Sequence, residues 1–564
     1  MTEITSAEAQ YKWEYQVNGE NITITSYLGN ELRIEIPAAI DGHKVTQIAP
    51  NAFLNKRDLV STKHTRHLAT IIIPETIHEI AEDTFKWCYY LENVEIPNSV
   101  TKIGDDAFIW CSALKSVVLP NSVKEIGKGA FRRCYSLKSV IIPSSVKKIG
   151  ANAFEDCKDL TNINIPESVE EIGAEAFTGC TALTAFKFPS QIKTMADNIF
   201  FGCKALKAVD IPDSLTRIGQ GAFHGCKSLL AIDIPDTVIE IGDEAFSSCA
   251  ALTSFTFPKN ITRIANFVLN DCGAITNIAL PQKITVIGDS AFDKCTQLKD
   301  IEIPDTVTKI GNCALKDCAT LKNITIPQSV KEIGNCAFYG CISAATITIP
   351  EGVTHLRDNV LYECAELNSF KIPDSVTEIG FGAFKGCKAL RNIIIPKNVT
   401  KIGSGAFAKC PGIKSITIPD KVRIVGRGAF ANNPNLEVQA HTLNIFWEDD
   451  AKTKATIGFC QRYINGEEIA EKEIAEYIEY IKLRGSKLYP FAIRNDNLMC
   501  FLTNKNLIPE NDVSELIEQA AHASISIKAN LLEYQKNISS SKDKTFEEDL
   551  DALFSDDFDL NDLL

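Results

Sequence analysis

The chain has 564 residues, of which 45% are hydrophobic and 23% are charged, a composition typical of globular domains. It contains no apolar run of the length that crosses a bilayer, so we expect no membrane insertion. The net charge is −14, and eight acidic residues lie in the last twenty positions, which leaves −14 + 8 = −6 for the rest. This balance argues against a nucleic-acid-binding surface.

The N-terminal residues predict a β-hairpin rather than an export signal. No basic stretch followed by an apolar stretch opens the chain, so we expect a cytoplasmic protein. Residues 11–36 alternate between apolar and polar positions, and Asn18-Gly19 separates two such runs, which is a strong hairpin signal. We therefore predict that residues 1–36 form a hairpin cap on the first unit of a repeat array.

A short insertion interrupts the start of that array. Phe53 and Phe85 are 32 residues apart, where the later period is 23. The additional residues include four cations and two histidines: Lys56, Arg57, Lys63, Arg66, His64 and His67. Two interpretations stay open, a tolerated surface loop and a binding loop. The two histidines would need further ligands to hold a metal ion, so we expect no metal site.

The dominant feature of the sequence is a 23-residue unit within residues 37–441. An apolar residue followed by proline recurs sixteen times at this spacing, at Pro74, Pro97, Pro120, Pro143, Pro166, Pro189, Pro212, Pro235, Pro258, Pro281, Pro304, Pro327, Pro350, Pro373, Pro396 and Pro419. A fixed period of this length indicates a solenoid, in which each unit buries its apolar side on its neighbours. We predict a parallel β-sheet on one face and short helical turns on the other.

The repeat also assigns core roles to its members. Leu91, Val94 and Ile96 illustrate the inward positions of the predicted strand. Phenylalanine fills one position in thirteen of the sixteen copies, which predicts an aromatic spine. Fifteen of the nineteen cysteines share another position: Cys88, Cys111, Cys134, Cys157, Cys180, Cys203, Cys226, Cys249, Cys272, Cys295, Cys318, Cys341, Cys364, Cys387 and Cys410. We expect buried free thiols, because their Cβ vectors run parallel and do not point at each other.

Four copies depart from the pattern at the turn glycine, which is replaced by Ala81, Ala196, Ala265 and Arg357. Either these copies bend the solenoid, or they are drift that neighbouring coils absorb, and we favour drift. Cys313 and Cys336 lie off the main ladder. They are candidates for a metal site with Cys318 and Cys341, but we expect them to pack as alanine substitutes.

The candidate binding residues are the outward positions of the predicted strands, two before each proline. Val118 and Ile141 form an apolar pair on adjacent rungs, and Asp210 and Asp233 form an acidic pair. The full candidate set is Val118, Ile141, Lys187, Asp210, Asp233, Glu302 and Lys371.

The periodicity stops after Asn433 and the composition changes. Residues 442–538 predict α-helices, with one ending at Gly485 and another starting at Pro509. They resemble ankyrin helix pairs weakly, and they either form an independent binding domain or cover the open end of the solenoid. Residues 539–564 combine acidic and large apolar side chains and predict a disordered tail. It can enter a partner's groove, fold back on its own solenoid, or keep the protein in solution.

These repeats resemble the BspA-like leucine-rich repeat family, in its 23-residue bacterial form with IPxxVxxIGxxAFxxC. The N-terminal residues Tyr15, Ile24, Tyr27, Gly29 and Pro37 match the entry pattern of that family. The resemblance covers about residues 11–441. It implies a leucine-rich-repeat solenoid used for protein binding, and in many relatives a cell-surface adhesin.

No catalytic constellation is visible: eight histidines are scattered, and no phosphate-binding glycine loop precedes a helix. We therefore expect a monomeric, non-enzymatic protein-interaction scaffold without a cofactor, whose partner is a protein. The alternative is a cell-surface adhesin exported without a cleavable signal. A third possibility is an enzyme within residues 442–538.

Overall fold

A computed structural model describes residues 3–53 and 68–539. The insertion with its basic residues and histidines, and the tail beyond Ser539, lie outside the described residues. The chain divides into two compact units, Met1–Ala344 and Ala345–Leu564.

The N-terminal segment forms a small mixed sheet. After helix α1 (Ser6–Ala9), the predicted hairpin forms with Gly19 at φ 65° in its two-residue turn. Trp13, Tyr27 and Phe53 stack in sequence and end on Phe85 of the next coil, at 4.9 to 5.9 Å between successive ring centroids. An aromatic column thus covers the first regular coil. The strands are Glu3–Ile4, Trp13–Asn18, Asn21–Tyr27, Ala39–Ile40 and His43–Ile48.

The rest of the first unit is a parallel β-solenoid, as the repeat predicts. The residues before each proline form parallel strands on one side of the coils, which are divided into short sheets of two or three strands and are called here together the front sheet. Neighbouring strands pair at the 23-residue offset, for example Val117 with Val140. Its strands are Arg33–Glu35, Thr70–Ile72, Asn93–Glu95, Ser116–Val118, Ser139–Ile141, Ala185–Lys187, Ala208–Asp210, Ser254–Thr256, Asn277–Ala279, Asp300–Ile301 and Asn323–Thr325.

The second extended stretch of each repeat also pairs into a ladder, called here the side sheet. Ile103, for example, pairs with Ile126 in parallel. Its strands in the first unit are Glu79–Ile80, Lys102–Ile103, Glu125–Ile126, Lys148–Ile149, Glu171–Ile172, Thr194–Met195, Arg217–Ile218, Glu240–Ile241, Arg263–Ile264, Val286–Ile287, Lys309–Ile310 and Glu332–Ile333. Each coil therefore contributes to two sheets.

The third side of each coil consists of tight hydrogen-bonded turns, here the turn face. Residues with positive φ, such as Asp106 at 50° and Trp110 at 65°, mark these turns. Phenylalanine rings stack beneath them, with centroids 5.1 to 5.6 Å apart from Phe85 to Phe177. The spine is fully buried, as expected of core residues.

The ladder cysteines have a role beyond apolar packing. All nineteen cysteines are free thiols, and the ladder members after Cys88 are buried. The Cys134 thiol donates a hydrogen bond to the Phe108 carbonyl of the preceding coil at 3.2 Å, and the Cys249 thiol bonds the Phe223 carbonyl in the same way. Burial raises the pKa of the Cys272 thiol to about 12. The neutral thiol is thus the form that the fold requires.

The side sheet is interrupted in the first unit at two of the irregular copies. It runs unbroken from Ile80 to Ile172 and restarts at Met195, next to Ala196; it ends again at Ile241 and restarts before Ala265. At regular coils the turn glycine donates to the preceding coil, as in Gly150 to the Ile126 carbonyl at 2.8 Å. A Cβ on Gly150 would lie 2.6 Å from backbone atoms of that coil, closer than packing permits. The side chain of alanine therefore opens the ladder.

The openings do not extend to the turn face. Phe177 still donates to the Ile199 carbonyl and Phe246 to the Val268 carbonyl, both at 3.0 Å. The ring centroids of Phe177 and Phe200 move only to 6.0 Å apart. Ala196 and Ala265 thus each coincide with a local break in one sheet, while the coils stay joined along the turn face. Bending of the solenoid and drift both stay predictions.

The second unit begins within the repeats and ends in helices. Its front strands are Thr346–Thr348, Ser415–Thr417 and Glu437–Gln439, and its side strands are His355–Leu356, Glu378–Ile379, Lys401–Ile402 and Ile424–Val425. The helices are α2 (Asp449–Ile464), α3 (Glu471–Arg484), α4 (Tyr489–Ala492), α5 (Asp496–Asn504), α6 (Glu510–Gln519) and α7 (Ile525–Ser539), with 3₁₀ turns at Gly485–Leu488 and Ala520–His522.

Helix α2 lies directly on the last front strand. A Cβ on Gly458 would be 2.3 Å from the Val438 carbonyl oxygen, so glycine permits this close approach. Tyr477 of α3 donates to the Ala440 carbonyl at 2.8 Å and stacks on Phe459 at 4.2 Å. These helices cover the end of the repeats, which is one of the two interpretations made from sequence. Ankyrin-like pairing is not needed to explain them.

Candidate functional site

The outward positions of the front sheet present a regular surface. In a three-residue strand such as Ser116–Val118 the central Val117 is buried and its two neighbours are exposed, because side chains alternate between the faces of a strand. All seven predicted binding residues are exposed. The structure thus places each of them where a partner can reach it.

The predicted apolar pair is formed. Val118 and Ile141 are direct partners in the parallel register, with 61% and 60% of their surfaces exposed. Ile141 is bridged on its other side to Asn164. Adjacent rungs of a sheet lie about 4.8 Å apart, so the two side chains form one continuous apolar strip on a sheet whose neighbouring outward residues are mostly polar.

The acidic pair has a different environment from the one that sequence predicted. Asp210 is the register partner of Lys187, and their charged atoms are 3.3 Å apart. Asp233 is exposed but lies outside the strands. An exposed ion pair of this kind contributes about 0–1 kcal/mol, so Asp210 is partly neutralised by Lys187.

Two open grooves follow the front sheet, one in each unit. In the first unit, Glu302 lines a groove of about 550 Å³ with Asp300, Lys299 and Gln282. In the second unit, a groove of about 790 Å³ contains Ile394, which is 83% exposed. Lys371 lies in that unit and forms an ion pair with Glu351 at 3.3 Å. Ile394 occupies an outward position but was absent from the candidate set, although its apolar character was visible in the repeat.

A second surface, on the turn face, was not predicted. Trp87, Trp110 and Arg133 occupy the same repeat position on consecutive coils, all with φ between 61° and 65°. Other coils place glycine there, for example Gly179 and Gly202 at φ 72°. Bulky residues avoid this conformation. The sequence did indicate this surface, because two of the four tryptophans share one repeat position.

These aromatic side chains interleave with cations. The Arg133 guanidinium lies 4.6 Å from the Trp110 ring centroid, and the Lys158 ammonium lies 4.4 Å from that of Tyr135. Trp110 and Tyr135 meet edge to face at 5.6 Å. Trp, Tyr and Arg are the residues most enriched in binding hot spots, but here each cation already covers an aromatic face.

The described residues form no cluster that could serve as a metal centre. Residues 3–53 and 68–539 contain no group of three or more His, Cys, Asp or Glu side chains placed to hold a metal ion. Cys313 and Cys336 are half-buried at φ 54° and 55°. They take the left-handed turn position, and not the buried alanine position that we expected. No helix in the described ranges has the length and hydropathy of a membrane span.

Comparison with known proteins assigns the class. A family profile described as "BspA type Leucine rich repeat region (6 copies)" matches residues 60–184, 147–264, 193–322 and 308–437. The chain therefore belongs to the BspA-type leucine-rich repeat family, as its repeats predicted. A search of curated proteins gave no match.

Similar proteins are also found among solved structures. A leucine-rich repeat protein from Bacteroides ovatus is 26% identical over 76% of this chain and 98% of its own, with a TM-score of 0.53. A leucine rich cell surface protein from Faecalibacterium prausnitzii is 29% identical over 72% of this chain and 92% of its own, with a TM-score of 0.37. The leucine-rich repeat protein of T. pallidum is 30% identical over 39% of this chain and 89% of its own, with a TM-score of 0.30.

Proposed function

We propose that this protein is a non-enzymatic scaffold that binds a partner protein through the front sheet, centred on the strip formed by Val118 and Ile141. The repeat family supports an interaction role, since a solenoid presents a long, regular surface. The strip is the observation that carries the proposal, because paired apolar side chains with 61% and 60% exposure gain free energy when a partner covers them.

The size of that gain sets the expected contribution to affinity. Full burial of a valine or isoleucine side chain contributes about 1.5–3 kcal/mol. Placing a carboxylate at each position removes this gain and adds an unpaired charge to the interface. Since 1.4 kcal/mol is a factor of ten in Kd, loss of both anchors should weaken binding by at least about a hundredfold.

The proposal is tested by affinity capture with the whole chain as bait. The double variant Val118→Glu with Ile141→Glu is compared with the double variant Thr256→Glu with Ala279→Glu. The control residues are also register partners at exposed outward positions of the front strands, so both variants add the same charge at equivalent repeat positions.

We expect at least one protein to be captured by the unmodified chain and by the control, and to be lost with the variant at the strip. A purified partner then gives the change in Kd. Identical capture by all three chains would contradict the assignment of the strip.

Family membership also supports the alternative of a cell-surface adhesin. The free thiols favour the cytoplasmic assignment, since reducing compartments keep thiols unpaired. Cell fractionation with protease shaving of intact cells separates the two locations. A monomer is the expected oligomeric state in either case, and sedimentation measures it.

A further inference from the structure

A basic surface is present where helix α3 passes into α4. The segment Lys482–Arg494, here called the basic corner, contains four cations, and no acidic residue occurs between Tyr480 and Asn495. The chain as a whole carries a net charge of −14, whereas this segment is positively charged.

The basic corner combines free charge with exposed apolar surface. Leu483 is 80% exposed and Phe491 is 41% exposed. Arg484 is paired with Asp449 at 2.9 Å, whereas Lys482, Lys487 and Arg494 form no ion pair within the described part of the chain.

The cations and the phenylalanine lie close together along the chain. Lys487 is in the 3₁₀ turn Gly485–Leu488, Phe491 is in α4, and Arg494 follows the end of α4, and all three are exposed. Such a surface is complementary to a segment that alternates acidic and large apolar residues.

The chain carries a segment of that composition directly after α7. Residues 545–564 contain eight acidic residues, no lysine or arginine, and apolar side chains including Phe546, Leu550, Leu553 and Phe554. We propose that this tail docks on the basic corner of the same chain, with its leucine and phenylalanine side chains against Leu483 and Phe491 and its carboxylates beside Lys482, Lys487 and Arg494.

The geometry of α7 permits this docking. Ser524, just before α7, donates to Asp496 at 2.6 Å, two residues beyond Arg494. The 15 residues of α7 span about 22 Å. An extended chain covers up to about 3.4 Å per residue. The seven residues that follow Ser539 can therefore span the length of α7 and bring Phe546 to the basic corner, and Phe554 lies further along the same chain.

Because the tail and the basic corner belong to the same chain, a weak contact is sufficient to keep the tail docked. A short tether gives an effective concentration in the millimolar range, so a segment with a Kd of about 0.1 mM would be docked most of the time. Because the charges are exposed, the contact should weaken as salt shortens the screening length.

The test measures how fast Lys482 and Lys487 react with an amine-specific acylating reagent, in the full chain and in a chain ending at Ser539. Peptide mass spectrometry follows each lysine, with exposed Lys388 and Lys397 as internal controls. We expect the tail to slow Lys482 and Lys487 by about 3- to 10-fold and to leave the controls unchanged. Equal rates in both chains would overturn the proposal.

Two further arms separate this docking from other roles of the tail. A synthetic peptide of residues 540–564 should restore protection to the shortened chain, whereas the same peptide with Leu550, Leu553 and Phe554 changed to serine should not. Equal protection by both peptides would refute apolar anchoring.

Carbodiimide cross-linking of mixed ¹⁴N and ¹⁵N chains should join tail carboxylates to Lys482 or Lys487 of the same isotope. Mixed-isotope products would assign the contact to a second copy and refute docking within one chain.

Discussion

Two stretches of the side sheet use nearly the same repeat but differ in continuity. Between Ile80 and Ile172 every following coil has a turn glycine and the ladder is continuous, whereas Ala196 and Ala265 each coincide with a break. Ile103, Ile126 and Ile149 are completely buried, while Ile172 and Ile241, at the broken ends, are 5% and 7% exposed. One methyl group per coil therefore determines where this sheet stops.

The comparison also shows how the coils tolerate alanine in place of the turn glycine. The turn-face hydrogen bonds continue across both breaks, and the aromatic spine continues across the break at Ala196, whereas the coil of Ala265 has Leu269 at the spine position. The coils therefore stay joined along the turn face. At Ala265 the separation leaves a cleft of about 330 Å³ that includes Ile241, Gly242 and Arg263 in its lining. Stability in a repeat array is a sum over neighbouring interfaces, and these two interfaces should be the weak ones.

The largest effect on the stability of the repeat array is expected at alkaline pH. Burial raises the pKa of the Cys272 thiol to about 12, against about 8.5 in an unfolded chain. The folded state then holds protons that the unfolded state releases, so stability is full below about pH 8.5 and is lost as pH rises toward 12. Cys272 alone contributes about 1.4 kcal/mol per pH unit in that window.

The order in which the ladder cysteines are alkylated should distinguish the coils at the breaks from those in the continuous stretch. At pH 9.5, alkylation followed by mass spectrometry should modify Cys203 and Cys272, in the coils with alanine, before Cys134 and Cys157 in the continuous stretch. In native protein at pH 7 only a few groups should react, and denaturant without reductant should expose nearly all nineteen. Uniform labelling along the ladder would mean that the breaks are not weak points.

The substitution Phe246→Ala should have the next largest effect. Phe246 is fully buried and stacks on Phe223 at 5.1 Å, so its removal leaves a cavity and costs about 3–5 kcal/mol. Because the adjoining interface at Ala265 is already open on one side, we expect thermal unfolding to separate into two transitions. A single transition at the unchanged temperature would show that the two stretches are equally coupled.

A smaller effect is expected from Gly150→Ala, which introduces the methyl group into the continuous stretch. The clash with the preceding coil should break the ladder at Ile126 and cost about 1–3 kcal/mol, measured by denaturant unfolding and by amide exchange at Gly150. Gly273→Ala is the matched control, since its Cβ would only touch Thr296 Oγ1 at 3.5 Å. Equal stability of both variants would remove the glycine explanation.

The sequence was sufficient for the periodic features and insufficient for the spacing between coils. Phe108 and Cys111 could be assigned to the core because their period alone requires it. The effect of Ala196 could not, because whether a methyl group fits depends on a backbone distance of less than 3 Å across coils. The thiol–carbonyl bonds likewise join residues that are 26 positions apart, which no pattern within one unit indicates.

The candidate site was predictable to a similar degree. The exposure of Val118 and Ile141 followed from strand alternation, and their direct pairing followed from the constant offset. The ion pair between Asp210 and Lys187 was not predicted, although both residues occupy outward positions on adjacent coils, because Asp210 was paired with the acidic residue of the following coil, Asp233. The aromatic and cationic turn face was missed because left-handed turn positions cannot be located until the turns are seen.

The glycine contact also governs how such a chain can change length. In the continuous stretch each coil presents the same bare backbone to the next, so removing or duplicating one 23-residue unit, such as residues 128–150, restores an equivalent junction. Beside Ala196 or Ala265 the same operation would move the methyl group onto a different neighbour. Whole coils can thus be added or removed mainly where the turn residue is glycine. The coils at the two breaks should tolerate neither change.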